Sequence, residues 1–229
     1  MTTHRFFVEH ATAAGERLAV PDAIAHQVTH VLRLRDGDEI VLLEGDGLEV
    51  RCRLAGAWLD VVSRAPALGE PRHRLIVAQA LLKGDHLEPV VRHGTEVGIS
   101  RFELFVSGRC VVREISGARL TRLRAMAREA AEQSERGIVP EVVAPVALAA
   151  VIGPGSVLLF ERTDGLRLSE VPAPERLIIG PEGGFTSDEV AAAEGAGATV
   201  AGLGPRILRS ESVAVAAAAV VLSRTGDFA

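Results

Sequence analysis

The stretch whose reading decides the fold is "RLIIGPEGGFTSDEV", Arg176 to Val190. Its apolar opening, Leu177-Ile178-Ile179, stops at Gly180, and Pro181 cannot donate to a further ladder bond, so a short buried strand ends there. Gly183 and Gly184 carry no Cβ and leave the main chain open to close approach. Thr186 to Glu189 has the spacing of a capping box, with Thr186 as N-cap, so a helix starts at once. A loop fixed between a strand and a capped helix is either a bare connection or a surface against which a ligand lies.

A second stretch, "ATVAGLGPRILRSESVAV" (198–215), has the same grammar. Gly202, Gly204 and Pro205 bracket Leu203, and Arg206 and Arg209 flank Ile207-Leu208, whose apolar side chains suit the walls of a slot better than a solvated loop. Ser210 is read as the N-cap of the helix that follows. Two such exits from neighbouring parallel strands make a crevice at the carboxyl edge of a sheet, where ligands of α/β proteins gather. Apolar walls with bare backbone suit a purine and ribose better than a triphosphate.

Outward from these loops, residues 74 onward alternate apolar strands with helices. Strands are read in "RLIVAQALLKG" (74–84), "RFELFVSGRCVV" (101–112), "SVLLFE" (156–161), "RLIIG" (176–180) and "ATVAGLG" (198–204). Helices are read in 85–98, 117–136, 186–197 and 210–224. That order predicts a largely parallel sheet covered on both faces. The first seventy residues read instead as short alternating strands broken by Asp-Gly turns, with a helix-like spacing at Ile24, Val28, Val31 and Leu32. "APALGEPRH" (65–73) is the linker candidate.

Other glycine-rich runs exclude themselves. "LLEGDGLEV" is followed by an alternating strand, so Asp46-Gly47 reads as a hairpin turn and not as a phosphate loop. "GAGATVAGLG" lacks the third glycine of the dinucleotide fingerprint, and there is no GxxxxGK[ST] loop. No apolar run nears the roughly 20 residues that span a bilayer, and "MTTHRFFVEH" has no signal-peptide core. Cys52 and Cys110 are far apart, so a reduced cytoplasm is expected and no metal, a disulfide between them being the alternative. A net charge of −5 argues against coating nucleic acid through bulk charge. Lys83 is the single lysine beside many arginines; codon usage explains that, as does a need for planar forks that grip phosphates and base edges. One Trp and no Tyr exclude an aromatic platform for single strands.

"VLRLRDGD", "EAAEQS", "GPEGGF" and "LGPRILRSES", met in that order along nearly the whole chain, resemble the RsmE-type 16S ribosomal RNA (uracil-N3) methyltransferases of the SPOUT superfamily. The resemblance implies an α/β fold: a SPOUT-type parallel sheet with a C-terminal trefoil knot over residues 73–229, and a PUA-like β-barrel that holds RNA over 1–70. It implies S-adenosylmethionine as methyl donor, 16S ribosomal RNA as partner, within the assembled small subunit, and a homodimer. Phe160, Glu161, Ile179, Gly180, Glu182, Gly183, Gly184, Leu203, Gly204, Ile207, Leu208 and Ser210 are then the cofactor-binding residues. Departures from the family pattern fall at His86, Leu87, Arg92, His93 and Glu135.

Transfer to N3 of uracil needs alignment and loss of a weakly acidic proton. Arg209 is the candidate catalytic cation at the lip of the cofactor loop; its alternative is an ion pair with Glu211 or Glu182. Glu182, Glu129 and Glu211 are candidate proton acceptors with none preferred, solvent being the alternative, and His86 and His93 read as surface histidines. Arg5, Arg33 and Arg35 are candidate phosphate contacts, and Lys83, Arg101, Arg109 and Arg136 are candidates for lining the RNA path. A ribose 2′-O-methyltransferase, and a catalytically silent RNA-binding assembly protein, are the competing readings.

Overall fold

Alternation governs the start of the chain. β1 (His4–Phe7), β2 (Arg17–Ala19), β3 (Glu39–Leu43), β4 (Leu48–Ala55) and β5 (Trp58–Pro66) form one sheet in the order β1-β3-β4-β5-β2, with β1 and β3 parallel and the other pairs antiparallel. Ile40 and Leu42 of β3 join Phe6, Val28 and Leu59 in one core, while Val41 and Leu43 point the other way to meet Phe7, Ala131 and Val139. β3 is thus buried on both faces, which is why its sequence is an unbroken apolar run. The expected turn at Asp46-Gly47 joins β3 to β4, with Asp46 Oδ1 accepting from Leu48 N at 2.9 Å. The helix-like spacing after Pro21 becomes α1 (Asp22–His26), which continues as a π-helical turn over Gln27–Val31.

This computed structural model describes residues 3–9, 16–161, 163 and 165–228. The chain divides into two units, Met1–Glu70 with Ala131–Val139, and Pro71–Ala130 with Pro140–Ala229.

In the second unit β6 (Ile76–Ala80), β7 (Arg101–Val106), β8 (Glu141–Ala147), β9 (Ser156–Leu159), β10 (Arg176–Ile179) and β11 (Thr199–Ala201) form an all-parallel sheet in the order β11-β9-β10-β6-β7-β8. α2 (Leu87–Val97), α3 (Gly117–Gln133), α4 (Ser187–Gly195) and α5 (Ser210–Arg224) supply the helical connections. Ser156, Arg176, Ile76 and Arg101 stand in register at the amino edge, so Leu159 and Ile179 end together at the carboxyl edge. β6, β7 and β8 step outward in sequence, and β10 then inserts between β9 and β6. That reversal of strand order is where a crevice opens in folds of this class.

β8 is a strand the sequence did not announce. Pro145 lies within it, at the sheet's edge and at a shift in the β7–β8 register, where a missing N–H costs no ladder bond. Pro89 lies in the first turn of α2, where its missing donor is an orphan in any case.

Candidate functional site

The loop after β10 is held from several directions. Thr186 N-caps α4: its hydroxyl accepts from Glu189 N at 3.2 Å, and Glu189 Oε2 accepts from Thr186 N at 2.9 Å, as the capping-box spacing predicts. The other oxygen of Glu189 accepts from Gly108 N at 2.6 Å. Arg109 Nη1 donates to Gly183 O at 3.0 Å, and Lys83 N donates to Glu182 Oε1 at 2.9 Å. Phe185 is buried and stacks on Phe105 of β7. Gly184 has φ +66°, and a Cβ there would lie 3.0 Å from Glu161 Oε1, so only glycine leaves this backbone unstrained and the space beside it open.

The loop after β11 is tied to the first by one hydroxyl. Ser210 Oγ donates to Gly180 O at 2.6 Å and accepts from Gln79 Nε2 at 3.0 Å. Ser210 is therefore not the N-cap of α5, as its position suggested: Arg209 takes that place without a side-chain cap bond, and the serine, buried as the first helical residue, clasps the two loops together. Gln79, the one polar side chain in an otherwise apolar β6, is the residue that sequence reasoning passed over. A glutamine inside a parallel strand buried on both faces was the available signal, because a buried amide must find partners.

Between these loops and the end of β9 lies a hollow of about 400 Å³. Phe160 and Glu161 form one wall, Ile179, Gly180, Glu182 and Gly184 a second, and Leu203, Gly204, Ile207, Leu208 and Ser210 a third, with Arg209 at its rim. Phe160 N donates to Ala201 O at 3.0 Å, which joins the first wall to the third. Among the described residues no hydrogen bond engages the main chain of Leu203 to Leu208, so those amides and carbonyls are available. Ile207 is 81% exposed, an apolar side chain with no core to enter.

Gly183 is the exception among the expected cofactor residues. It does not line the hollow; its face is turned to Arg109, whose Cβ would be 3.2 Å from an added Cβ. The Arg209 carbonyl accepts from Ser212 N and Val213 N, but its guanidinium has no hydrogen-bond or ion-pair partner among the described residues: Glu182 accepts from Lys83 N, and Glu211 Oε1 lies 3.1 Å from His86 Nδ1. His86, read from sequence as a surface residue, lines the hollow, whereas His93 and Glu129 do not.

The basic residues expected to meet RNA separate into two sets. Arg33 and Arg35 are exposed with unpartnered guanidinium groups among the described residues, and Lys83 and Arg109 are exposed beside the loop that follows β10. Arg136 is buried, with Nη2 at 3.1 Å from Glu70 Oε2, and cannot reach a phosphate from there. Arg5 is spent on Glu49 and Glu135. Arg101 is bound to Glu103 and Glu141 at the amino edge of the sheet, the end opposite the hollow. These three are structural ion pairs.

Residues 69–222 match the RNA methyltransferase domain family, and residues 20–57 match the RNA methyltransferase PUA domain family. The ribosomal RNA small subunit methyltransferase E of Bacillus subtilis is 30% identical over 96% of this chain and 96% of that protein. The crystal structure of a ribosomal RNA small subunit methyltransferase E from Neisseria gonorrhoeae, bound to S-adenosyl methionine, is 26% identical, with a TM-score of 0.88 over 97% of this chain and 98% of that one. A Legionella pneumophila structure in complex with the same cofactor gives 26% identity and a TM-score of 0.81, covering 98% of both chains.

Proposed function

The chain belongs to the RNA methyltransferase family that includes the ribosomal RNA small subunit methyltransferase E proteins, and from that premise we propose that it methylates small-subunit ribosomal RNA with S-adenosylmethionine as donor, at N3 of a uracil. The observation that carries this reading is the single hollow shared by the exits of β9, β10 and β11. Its features fit an adenosine-bearing cofactor: apolar walls at Leu203, Ile207 and Leu208, uncovered main-chain groups over the same segment, and the Cβ-free space at Gly184. When bound there, the donor supplies an electrophilic methyl group on a sulfonium, and no metal is needed.

The chain's own residues then have two tasks. The clasped loops fix the donor's place relative to an incoming base, and alignment of this kind removes about 7–11 kcal/mol of barrier. Arg209, unpaired at the rim, stabilises negative charge that develops on the uracil carbonyls as N3 loses its proton, an interaction that strengthens where water is excluded.

The first unit is read as the PUA-like module that holds RNA, with Arg33 and Arg35 on phosphates, and the second as the methyltransferase domain. A trefoil-knotted path through the C-terminal region belongs to the same reading, supported by the insertion of β10 between β9 and β6. So do a homodimer, the assembled small subunit as substrate, and a cytoplasmic site of action. Among the described residues no helix is long and apolar enough to cross a membrane. Recognition of a base splayed from structured RNA needs shape and phosphate contacts more than base-edge readout. The test is mass-spectrometric mapping of small-subunit ribosomal RNA from cells lacking this protein. Loss of one N3-methyluridine is expected; an unchanged modification map refutes the reading, and a lost ribose methyl would move the acceptor to a 2′-hydroxyl.

A further inference from the structure

Four side chains that line the hollow carry a group able to accept a proton: His86, Glu161, Glu182 and Glu211. Glu182 accepts from Lys83 N, Glu211 lies against His86 Nδ1, and Glu161 has contacts of its own. His86 differs from them. Its Nδ1 is 3.1 Å from Glu211 Oε1, and among the described residues its Nε2 has no partner.

We propose that His86 accepts the proton displaced from the methylated nitrogen, and that Glu211 is its positioning residue. This rests on the methyltransferase reading above. A carboxylate beside Nδ1 accepts the Nδ1–H, which places the imidazole lone pair on Nε2, the nitrogen left unpartnered. Glu211 lies in the first turn of α5, where a helix N-terminus favours its negative charge. The His86 side chain is 43% exposed, so the proton it takes can pass to water between turnovers. The charged groups around it are Lys83 and Asp85 on its own loop, Arg119 of α3 (which donates to Gly84 O), Glu182 beyond β10, and Arg209 with Glu211 at the head of α5.

The step balances. The N3–H bond breaks and its proton moves to Nε2 of His86. The N3 electron pair forms the new N–CH3 bond as the donor's sulfur–methyl bond breaks, and sulfur keeps that electron pair as a neutral thioether. The positive charge of the sulfonium thus ends on the imidazolium, facing Glu211. Arg209 and His86 divide the work: one stabilises the anion, the other receives the proton.

The test compares native protein with His86→Gln and His86→Arg, measuring methyl transfer to small ribosomal subunits across pH and S-adenosylmethionine affinity by calorimetry. Arginine places a permanent cation at the position and cannot accept a proton at neutral pH, so it separates a base from a charge. Both variants are expected to lose about 100-fold or more in kcat, the usual scale of general-base catalysis, while cofactor affinity stays within about threefold. The acid-side fall in native turnover is expected to vanish in both. Glu211→Ala is expected to lower kcat with cofactor affinity retained, and Glu211→Gln, whose amide oxygen can still accept the Nδ1–H, to restore most of it; a merely structural role would show no such rescue. Turnover of either His86 variant near the native rate, with the acid limb retained, overturns the proposal while the methyltransferase reading stands. Native protein that binds no S-adenosylmethionine overturns both.

Discussion

Replacing Ser210 by alanine removes the clasp between the two cofactor loops. The hydroxyl donates to Gly180 O at 2.6 Å and accepts from Gln79 Nε2 at 3.0 Å, and both Ser210 and Gln79 are buried. Without it Gly180 O loses that donor, and Gln79 Nε2 keeps only a longer contact with Ala80 O at 3.3 Å. Gln79 Oε1 already lacks a partner among the described residues, so the amide cannot turn to recover a full set. Leaving buried donors and acceptors unsatisfied costs about 1–3 kcal/mol, and about 2 kcal/mol is the expected loss of folding stability here. The same bond fixes the carbonyl that ends the second wall of the hollow to the helix that starts behind the third. If that whole energy is also lost to the binding-competent arrangement, S-adenosylmethionine affinity falls by about 30-fold, at 1.4 kcal/mol per tenfold. Urea unfolding followed by circular dichroism reads the first quantity and calorimetric titration the second. Stability within about 0.5 kcal/mol of native, the range of a neutral surface substitution, together with unchanged affinity would refute the reasoning.

Other substitutions probe single elements. Gly184→Ala forces a left-handed residue with a cost of about 1–2 kcal/mol and sets a methyl 3.0 Å from Glu161 Oε1; it should weaken cofactor binding clearly more than Gly183→Ala, whose methyl meets Arg109 instead. Equal effects in calorimetry would move Gly183 back into the cofactor wall. Arg209→Ala should cut turnover and spare S-adenosylmethionine affinity, since its exposed guanidinium stands at the rim; equal loss of both would make it a binding residue. Burial pushes the Cys52 thiol up to about 11, so it should resist alkylation by iodoacetamide in native protein at neutral pH. Because the folded state holds that proton more tightly, the thiol's contribution to stability is complete below the ordinary thiol range, near 8.5. It declines as pH rises toward about 11, and in denaturant titrations Cys52→Ala should flatten that decline.

What could be seen in the sequence was what is decided locally. The end of β10 at Gly180-Pro181 and the Thr186–Glu189 capping box depend on residues a few positions apart, and both stand as expected. Ser210 fits the same local rules for an N-cap, but its hydroxyl is claimed by Gln79, 131 positions away, and no local pattern records that. Arg136 looks like any helix-end charge until Glu70, 66 positions away, neutralises it in a buried site. β8 stayed hidden because Pro145 is tolerable in a strand only at a sheet edge or a bulge, and both are properties of the assembled topology. Gly183 and Gly184 are indistinguishable as letters. The positive φ of Gly184 and the side chains facing each one decide which belongs to the hollow.

The central claim is that the exits of β9, β10 and β11 hold one small molecule between them. Titrating S-adenosylmethionine into isotopically labelled protein and following backbone amide resonances tests it most directly. The account predicts saturable shifts concentrated at Phe160-Glu161, Gly180 to Gly184 and Leu203 to Ser210. Shifts centred on another part of the chain, or none at concentrations that saturate the Neisseria gonorrhoeae relative, would contradict it.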